Sequence, residues 1–127
     1  MPTLLIIDDI ESVRESLRHV FTRFGFTVLV ADSGEAGLAI YAKGGIDAAL
    51  VDINMPGLNG VQVCRAMHEQ AVKLGKKIPV WLMTGAIAGY VEEMGLEAGA
   101  VAVLHKPFDF AQFARDVEEQ LKKKASA

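Results

Sequence analysis

Four apolar runs in this chain each end in residues able to do chemistry. Leu4-Leu5-Ile6-Ile7 leads into Asp8-Asp9, and Ala48-Ala49-Leu50-Val51 leads into Asp52, followed by Ile53-Asn54-Met55-Pro56-Gly57. Val80-Trp81-Leu82-Met83 ends in Thr84-Gly85, and Val101-Ala102-Val103-Leu104-His105 ends in Lys106-Pro107. In an open parallel sheet such strand ends lie side by side, and ligands bind in the crevice beyond them. Three carboxylates, a hydroxyl and an ammonium would then share one pocket. That inventory suits a divalent cation and a phosphoryl group. Clustered carboxylates repel one another, and a hard cation relieves the repulsion. Mg²⁺ takes oxygen ligands and keeps several waters. Asp9 and Asp52 are the expected direct ligands and Asp8 a ligand through water, with the backbone carbonyl of Asn54 adding a further oxygen. Lys106 is a compact point charge suited to phosphate oxygens, and Thr84 can donate a hydrogen bond to the same group. Phosphoryl transfer asks mainly for positioning and charge neutralisation, and an aspartate can itself carry the group as an acyl phosphate. By the same repulsion, neutralising Asp9 is expected to stabilise the fold.

Each piece alone has a plainer reading. Asp8-Asp9 fits a helix start, and Asp52 before Pro-Gly fits a turn. The chemistry rests on all four falling at strand ends, in order, at separations that admit a helix between them. The strands are read as Thr3–Ile7, Thr27–Ala31, Ala48–Val51, Val80–Met83 and Ala100–Leu104. They are near-continuously apolar, as parallel strands buried on both faces are.

Helical periodicity fills the gaps. Val13, Leu17, Val20, Phe21 and Phe24 mark one face. Asp32 and Glu35 have capping-box spacing before a second helix, which stops at Gly44-Gly45. Val61, Cys64, Met67, Ala71 and Leu74 make a third stripe, closed by Gly75. The fourth helix, 88–98, is the weakest, because Gly89 and Gly95 each cost about 1 kcal/mol relative to alanine. The fifth opens on Asp109 and Gln112 as a capping box, with Phe108 and Phe113 as its hydrophobic staple. Strict βα alternation predicts a doubly wound α/β fold in three layers, with right-handed crossovers.

At 127 residues and 51% hydrophobic composition the chain reads as one domain with a full core and no output domain. A net charge of −3 argues against direct nucleic-acid or membrane-surface binding. The single Cys64 excludes an internal disulfide and a multi-cysteine zinc site, and reads as a buried apolar residue. No apolar stretch approaches the ~20 residues of a membrane span, and no secretory signal precedes the first strand. A cytoplasmic location is expected. Trp81 reads as core, and Lys122-Lys123-Lys124 as a solvated helix end.

Asp8-Asp9, Asp52 with Met55-Pro56-Gly57 and Gly60, Thr84-Gly85 and Lys106-Pro107-Phe108 together resemble the receiver domain of two-component response regulators over nearly the whole chain. The chain resembles a stand-alone chemotaxis-type receiver in particular. The resemblance implies a flavodoxin-like fold with strand order 2-1-3-4-5. It implies Asp52 as phosphoacceptor, Mg²⁺ held at Asp8, Asp9 and Asp52, and Thr84 and Lys106 as phosphate contacts. It implies a cis peptide before Pro107, a sensor histidine kinase or histidine phosphotransfer protein as donor, and a downstream protein target. It implies no turnover of a separate substrate, only the domain's own phosphorylation and dephosphorylation. Asn54 and Ala86 stand where the family flanks the path of an attacking water, and small residues there leave the acyl phosphate open to hydrolysis.

Two departures stand out. The family usually carries an aromatic residue three positions before the lysine, where this chain has Val103. The run Gly99-Ala100-Val101-Ala102 lacks the charges that winged-helix-class receivers use for dimer salt bridges. Rival chemistries fit less well. A haloacid-dehalogenase-like phosphatase needs a second acid two residues after its nucleophile, where Asn54 stands. A flavodoxin-like electron carrier needs a hydroxyl-rich phosphate loop, where Asp8-Asp9 stand. A receiver-like scaffold that is never phosphorylated would have no use for the full set of phosphorylation residues kept here.

Overall fold

The computed structural model of the protein describes residues 1–85 and 89–126, with side chains through residue 123. Strands and helices alternate as β1 (Thr3–Ile7), α1 (Glu11–Arg23), β2 (Thr27–Ala31), α2 (Gly34–Ala42), β3 (Ala48–Asp52), α3 (Gly60–Lys73), β4 (Val80–Thr84), α4 (Gly89–Glu97), β5 (Ala102–His105) and α5 (Phe110–Ser126). All strand pairs are parallel, in the order β2-β1-β3-β4-β5.

Side chains alternate across a strand, so the sheet builds a core on each face. Leu5, Ile7, Val51 and Leu82 face α2, α3 and α4, where they meet Tyr41, Val63, Cys64 and Met67. Leu4, Ile6, Leu50, Trp81 and Met83 face α1 and α5, where they meet Leu17, Phe21, Phe113 and Val117. Trp81 and Phe113 stack edge to face at 5.3 Å. These layers are the predicted three-layer sandwich.

The edges depart from the sequence reading. β1, β3 and β4 are buried on both faces, but β2 and β5 are the sheet's outer strands. Thr27 and Leu29 face solvent on β2, and Val101 is exposed just before β5. Phe24 and Leu74, expected on buried stripes, are also exposed at their helix ends.

Helix starts differ in detail. Ser33, not Asp32, caps α2, its Oγ accepting from Ala36 N at 3.1 Å. α3 carries a full capping box that the pattern above does not include. Asn59 Oδ1 accepts from Gln62 N at 3.0 Å, and Gln62 Oε1 from Asn59 N at 2.9 Å. At α5, Asp109 accepts from Gln112 N at 3.0 Å, but the Gln112 side chain turns forward to Asp116 and Arg115. The Phe108–Phe113 staple is present, with ring centroids 5.9 Å apart.

Gly95 has a packing reason. A Cβ there would stand 2.7 Å from Val103 Cγ2 and 2.9 Å from Leu82 Cδ1. The glycine that weakens α4 as an isolated helix is what lets it rest on β5. The small side chain at 103 is the other half of that fit, letting the helix backbone come close to β5. Ala86 and Ala88 lie outside the described residues.

Candidate functional site

The sheet register delivers the predicted residues to one place. Asp8 follows β1, Asp52 and Thr84 close β3 and β4, and Lys106 follows β5. Pairing sets Ile7 beside Val51, Asp52 beside Met83 and Thr84 beside His105. The chain leaves β5 through a cis Lys106-Pro107 peptide, as the resemblance implies. Lys106 N donates to Thr84 O at 2.8 Å, so the end of β5 is laced to the end of β4.

Asp8, Asp9 and Asp52 each offer a carboxylate oxygen within 4.8 Å of the others. Asp8 and Asp52 are buried, and Asp9 is exposed. Lys106 Nζ sits 3.3 Å from Asp8 Oδ2 and 3.7 Å from Asp52 Oδ1. Asp8 Oδ1 accepts from Ile10 N at 2.9 Å, and Asp8 O accepts from Arg14 Nη1 at 2.8 Å. Thr84 is fully buried, and its Oγ1 accepts from Asn54 Nδ2 at 3.0 Å. Asn54 N donates to Asp52 Oδ1 at 3.2 Å.

The sequence reading assigned Asn54 only a backbone carbonyl and a place beside the water path. Its side-chain bond to Thr84 depends on a rotamer that no spacing encodes. Arg14 was also missed: an arginine six residues after Asp8 gives no periodic signal.

Burial pushes the Asp52 carboxyl up to about 6, with the Asp8 charge adding to the rise. Lys106 and the Asn54 N–H pull the other way, and Asp9 adds a smaller push upward. The rise on Asp52 thus comes first from its burial and second from the neighbouring Asp8 charge. A hard divalent cation suits this donor set: three carboxylates converge, every donor is oxygen, and the central group holds its charge at a cost.

The sequence matches the response regulator receiver domain family over residues 4–118. It is 35% identical over 105 residues to the response regulator MprA of Mycolicibacterium vanbaalenii, covering 83% of this chain and 44% of that protein. The chain thus spans about half the length of the curated relatives it matches. Among solved structures, the chemotaxis protein CheY4 of Vibrio cholerae is 26% identical with a TM-score of 0.83, covering 94% of this chain and 98% of that one. A response regulator receiver domain protein from Clostridium thermocellum shares the fold at a TM-score of 0.89 and 23% identity, covering 98% of each chain. The strand order, the strand-end carboxylates with their lysine and these matches agree: the chain belongs to the response regulator receiver domains of two-component signalling.

Proposed function

We propose that Asp52 accepts a phosphoryl group from the phosphohistidine of a sensor histidine kinase or histidine phosphotransfer protein, and that the acyl phosphate changes which downstream protein the domain binds. One observation carries this: three carboxylates converge within 4.8 Å, with the Lys106 ammonium 3.7 Å from Asp52. An Asp52 carboxylate oxygen attacks phosphorus, and a new O–P bond forms as the donor's P–N bond breaks. The electron pair stays on the imidazole nitrogen. Lys106 places positive charge where charge on the phosphoryl oxygens develops, at no reorganisation cost. Thr84, anchored by Asn54, presents its hydroxyl to the same oxygens. Asp8, Asp9, Asp52 and the Asn54 carbonyl would hold Mg²⁺, which when bound neutralises the carboxylates and the incoming group. Hydrolysis reverses the outcome: water attacks phosphorus, the bond to Asp52 breaks, and orthophosphate leaves.

The domain acts on itself alone and is not an enzyme toward a separate substrate. It works in the cytoplasm through protein contacts, and the receiver domain of residues 1–127 does not itself touch nucleic acid or membrane. Among the described residues no helix is long and apolar enough to cross a membrane.

Acetyl phosphate or phosphoramidate with Mg²⁺ is expected to add one phosphoryl group, mapped by mass spectrometry to Asp52. EDTA should abolish the labelling. Asp9→Ala should abolish it as well, and Asp8→Ala should slow it less. Labelling that persists in EDTA, or maps to another residue, removes this reading.

Output is proposed to use the face made by α4, β5 and α5. Tyr90, Met94, Leu96 and Val101 are exposed there, and an apolar surface favours a packed interface over salt-bridge pairing. Only four residues separate Thr84 from Gly89 at the start of α4, so movement of Thr84 can pull on a helix held against Val103 through Gly95. Val103 has no ring to swing. In a beryllofluoride-activated sample the largest amide shifts outside the site are expected between Gly85 and Ala98. Shifts confined to α1 and α2 would place the output surface elsewhere.

A further inference from the structure

A second preformed feature lies at the opposite end of the strands. A groove of about 620 Å³ runs between the later turns of α3, the α3–β4 loop, the turn before β5 and α5. That volume falls in the range of about 300–1,000 Å³ typical of binding sites. Ala71, Ile78 and Pro79 give it an apolar floor, with the exposed Val72 and Val101 at its edge. Its wall is fixed by backbone. Gly99 adopts φ +108°, and a Cβ there would stand 2.8 Å from His68 Cγ, so the His68 ring packs directly on the glycine. Lys76 N donates to Ala71 O at 2.8 Å, which closes α3 and turns the loop along the groove.

The charge at the rim has one sign. Among the described residues Lys76, Lys77 and Lys123 line the groove, and no Asp or Glu does. Lys123 has Glu119 at 3.6 Å, one helical turn back. Lys76 and Lys77 make no ion pair with any described residue, in a chain whose net charge is −3. Two adjacent uncompensated lysines beside an apolar recess suit carboxylates carried next to an apolar side chain.

We propose that this groove docks an acidic segment of a partner protein, with one apolar side chain on the floor and flanking carboxylates facing Lys76 and Lys77. The recess favours a peptide over other anions. Among the described residues its lining holds no Phe, Tyr or Trp on which bases could stack. A membrane surface is met by protruding apolar groups rather than by a concavity. The groove and Asp52 occupy opposite strand ends, so docking and phosphorylation address different faces of the domain.

The test is an NMR titration of the full chain with an acetylated, amidated peptide, Glu-Glu-Leu-Phe-Glu-Glu, and with its counterpart in which every Glu is Lys. The acidic peptide should give saturable shifts at the amides of Lys76, Lys77, Val101 and Gln120, weakening as salt rises. The double variant Lys76→Glu, Lys77→Glu should lose about tenfold in affinity. Its active-site amides and Asp52 labelling should be unchanged. No saturable shift at millimolar peptide, equal binding of the lysine peptide, or shifts mapped elsewhere would overturn the proposal. So would tighter binding of phosphatidylglycerol vesicles or oligothymidine at the same amides, which would assign the groove to a membrane or to nucleic acid. Concentration-dependent broadening of these amides in the protein alone would assign it to a second copy, with the same effect on the proposal.

Discussion

Asp52→Asn is expected to lose all phosphoryl acceptance and, at neutral pH, to unfold at a higher temperature than the wild type. The first effect follows from position, because no other carboxylate combines burial, the end of β3 and an ammonium at 3.7 Å. The second follows from linkage. Burial, reinforced by Asp8, raises the Asp52 carboxyl from 3.8 to about 6. An acid whose folded pKa is raised binds its proton more tightly in the native state than in the unfolded one. Its stabilising contribution is therefore greatest below the unfolded value and is lost as pH rises through the folded value. At about 1.4 kcal/mol per pH unit the loss at neutral pH is on the order of 3 kcal/mol.

Asparagine has the shape of the neutral acid and escapes that loss, so the melting temperature should rise by roughly 10 °C. Wild type and variant should converge only below about pH 3.8, where Asp52 is protonated in the folded and the unfolded state alike. Saturating Mg²⁺ should also narrow the gap, because a bound cation favours the carboxylate. Thermal unfolding followed by circular dichroism at the two pH values measures both arms. A lower melting temperature for the variant at neutral pH would mean that the attraction of Lys106 outweighs burial and Asp8 together. Asp9→Asn should have a smaller effect of the same sign, since Asp9 is exposed and enters mainly through its push on Asp52.

Much of the site was legible because strand ends are legible. Uninterrupted apolar runs mark the central strands, and the doubly wound topology carries their C-terminal residues to one crevice. Asp8, Asp9, Asp52, Thr84 and Lys106 thus needed no side-chain detail to be grouped. The same apolar runs concealed which strands were edges: Thr27-Val28-Leu29-Val30-Ala31 reads as buried, yet Leu29 faces solvent on β2. Ser33 and Asp32 both make good caps, and only the path of the chain into α2 decides between them. The Asn59–Gln62 box could have been read from its spacing. The Asn54–Thr84 bond and the His105–Glu92 pair could not, since each joins different elements through rotamers set by packing. Gly95 was legible as a cost to α4 but not as a contact, because its partner Val103 arrives from the next strand.

Gly60→Ala should be far more damaging than Gly57→Ala, although only Gly57 has a positive φ, +75°. Gly60 is the first residue of α3, and its N–H donates to Ile53 O at 3.1 Å. A Cβ at 60 would stand 2.5 Å from Asp52 O and 2.7 Å from Ile53 Cα. These are backbone atoms of the segment that carries the phosphoacceptor, and they have no rotamer to yield. The methyl must drive the start of α3 away from the end of β3, at about 3 kcal/mol or more. That is a large share of the ~5–15 kcal/mol that stabilises a typical domain. Displacing Asp52 from Lys106 and the other carboxylates should also slow acetyl phosphate labelling by about 100-fold. At Gly57 the added Cβ meets only Glu35 Oε1, at 3.5 Å. The cost there is the left-handed backbone alone, roughly 1–2 kcal/mol, with labelling close to wild type. Urea midpoints and initial labelling rates for the two variants separate the effects. If Gly57→Ala lost more of both, the conformation of the Met55-Pro56-Gly57 turn, rather than the close approach of helix to strand, would be what holds Asp52 in place.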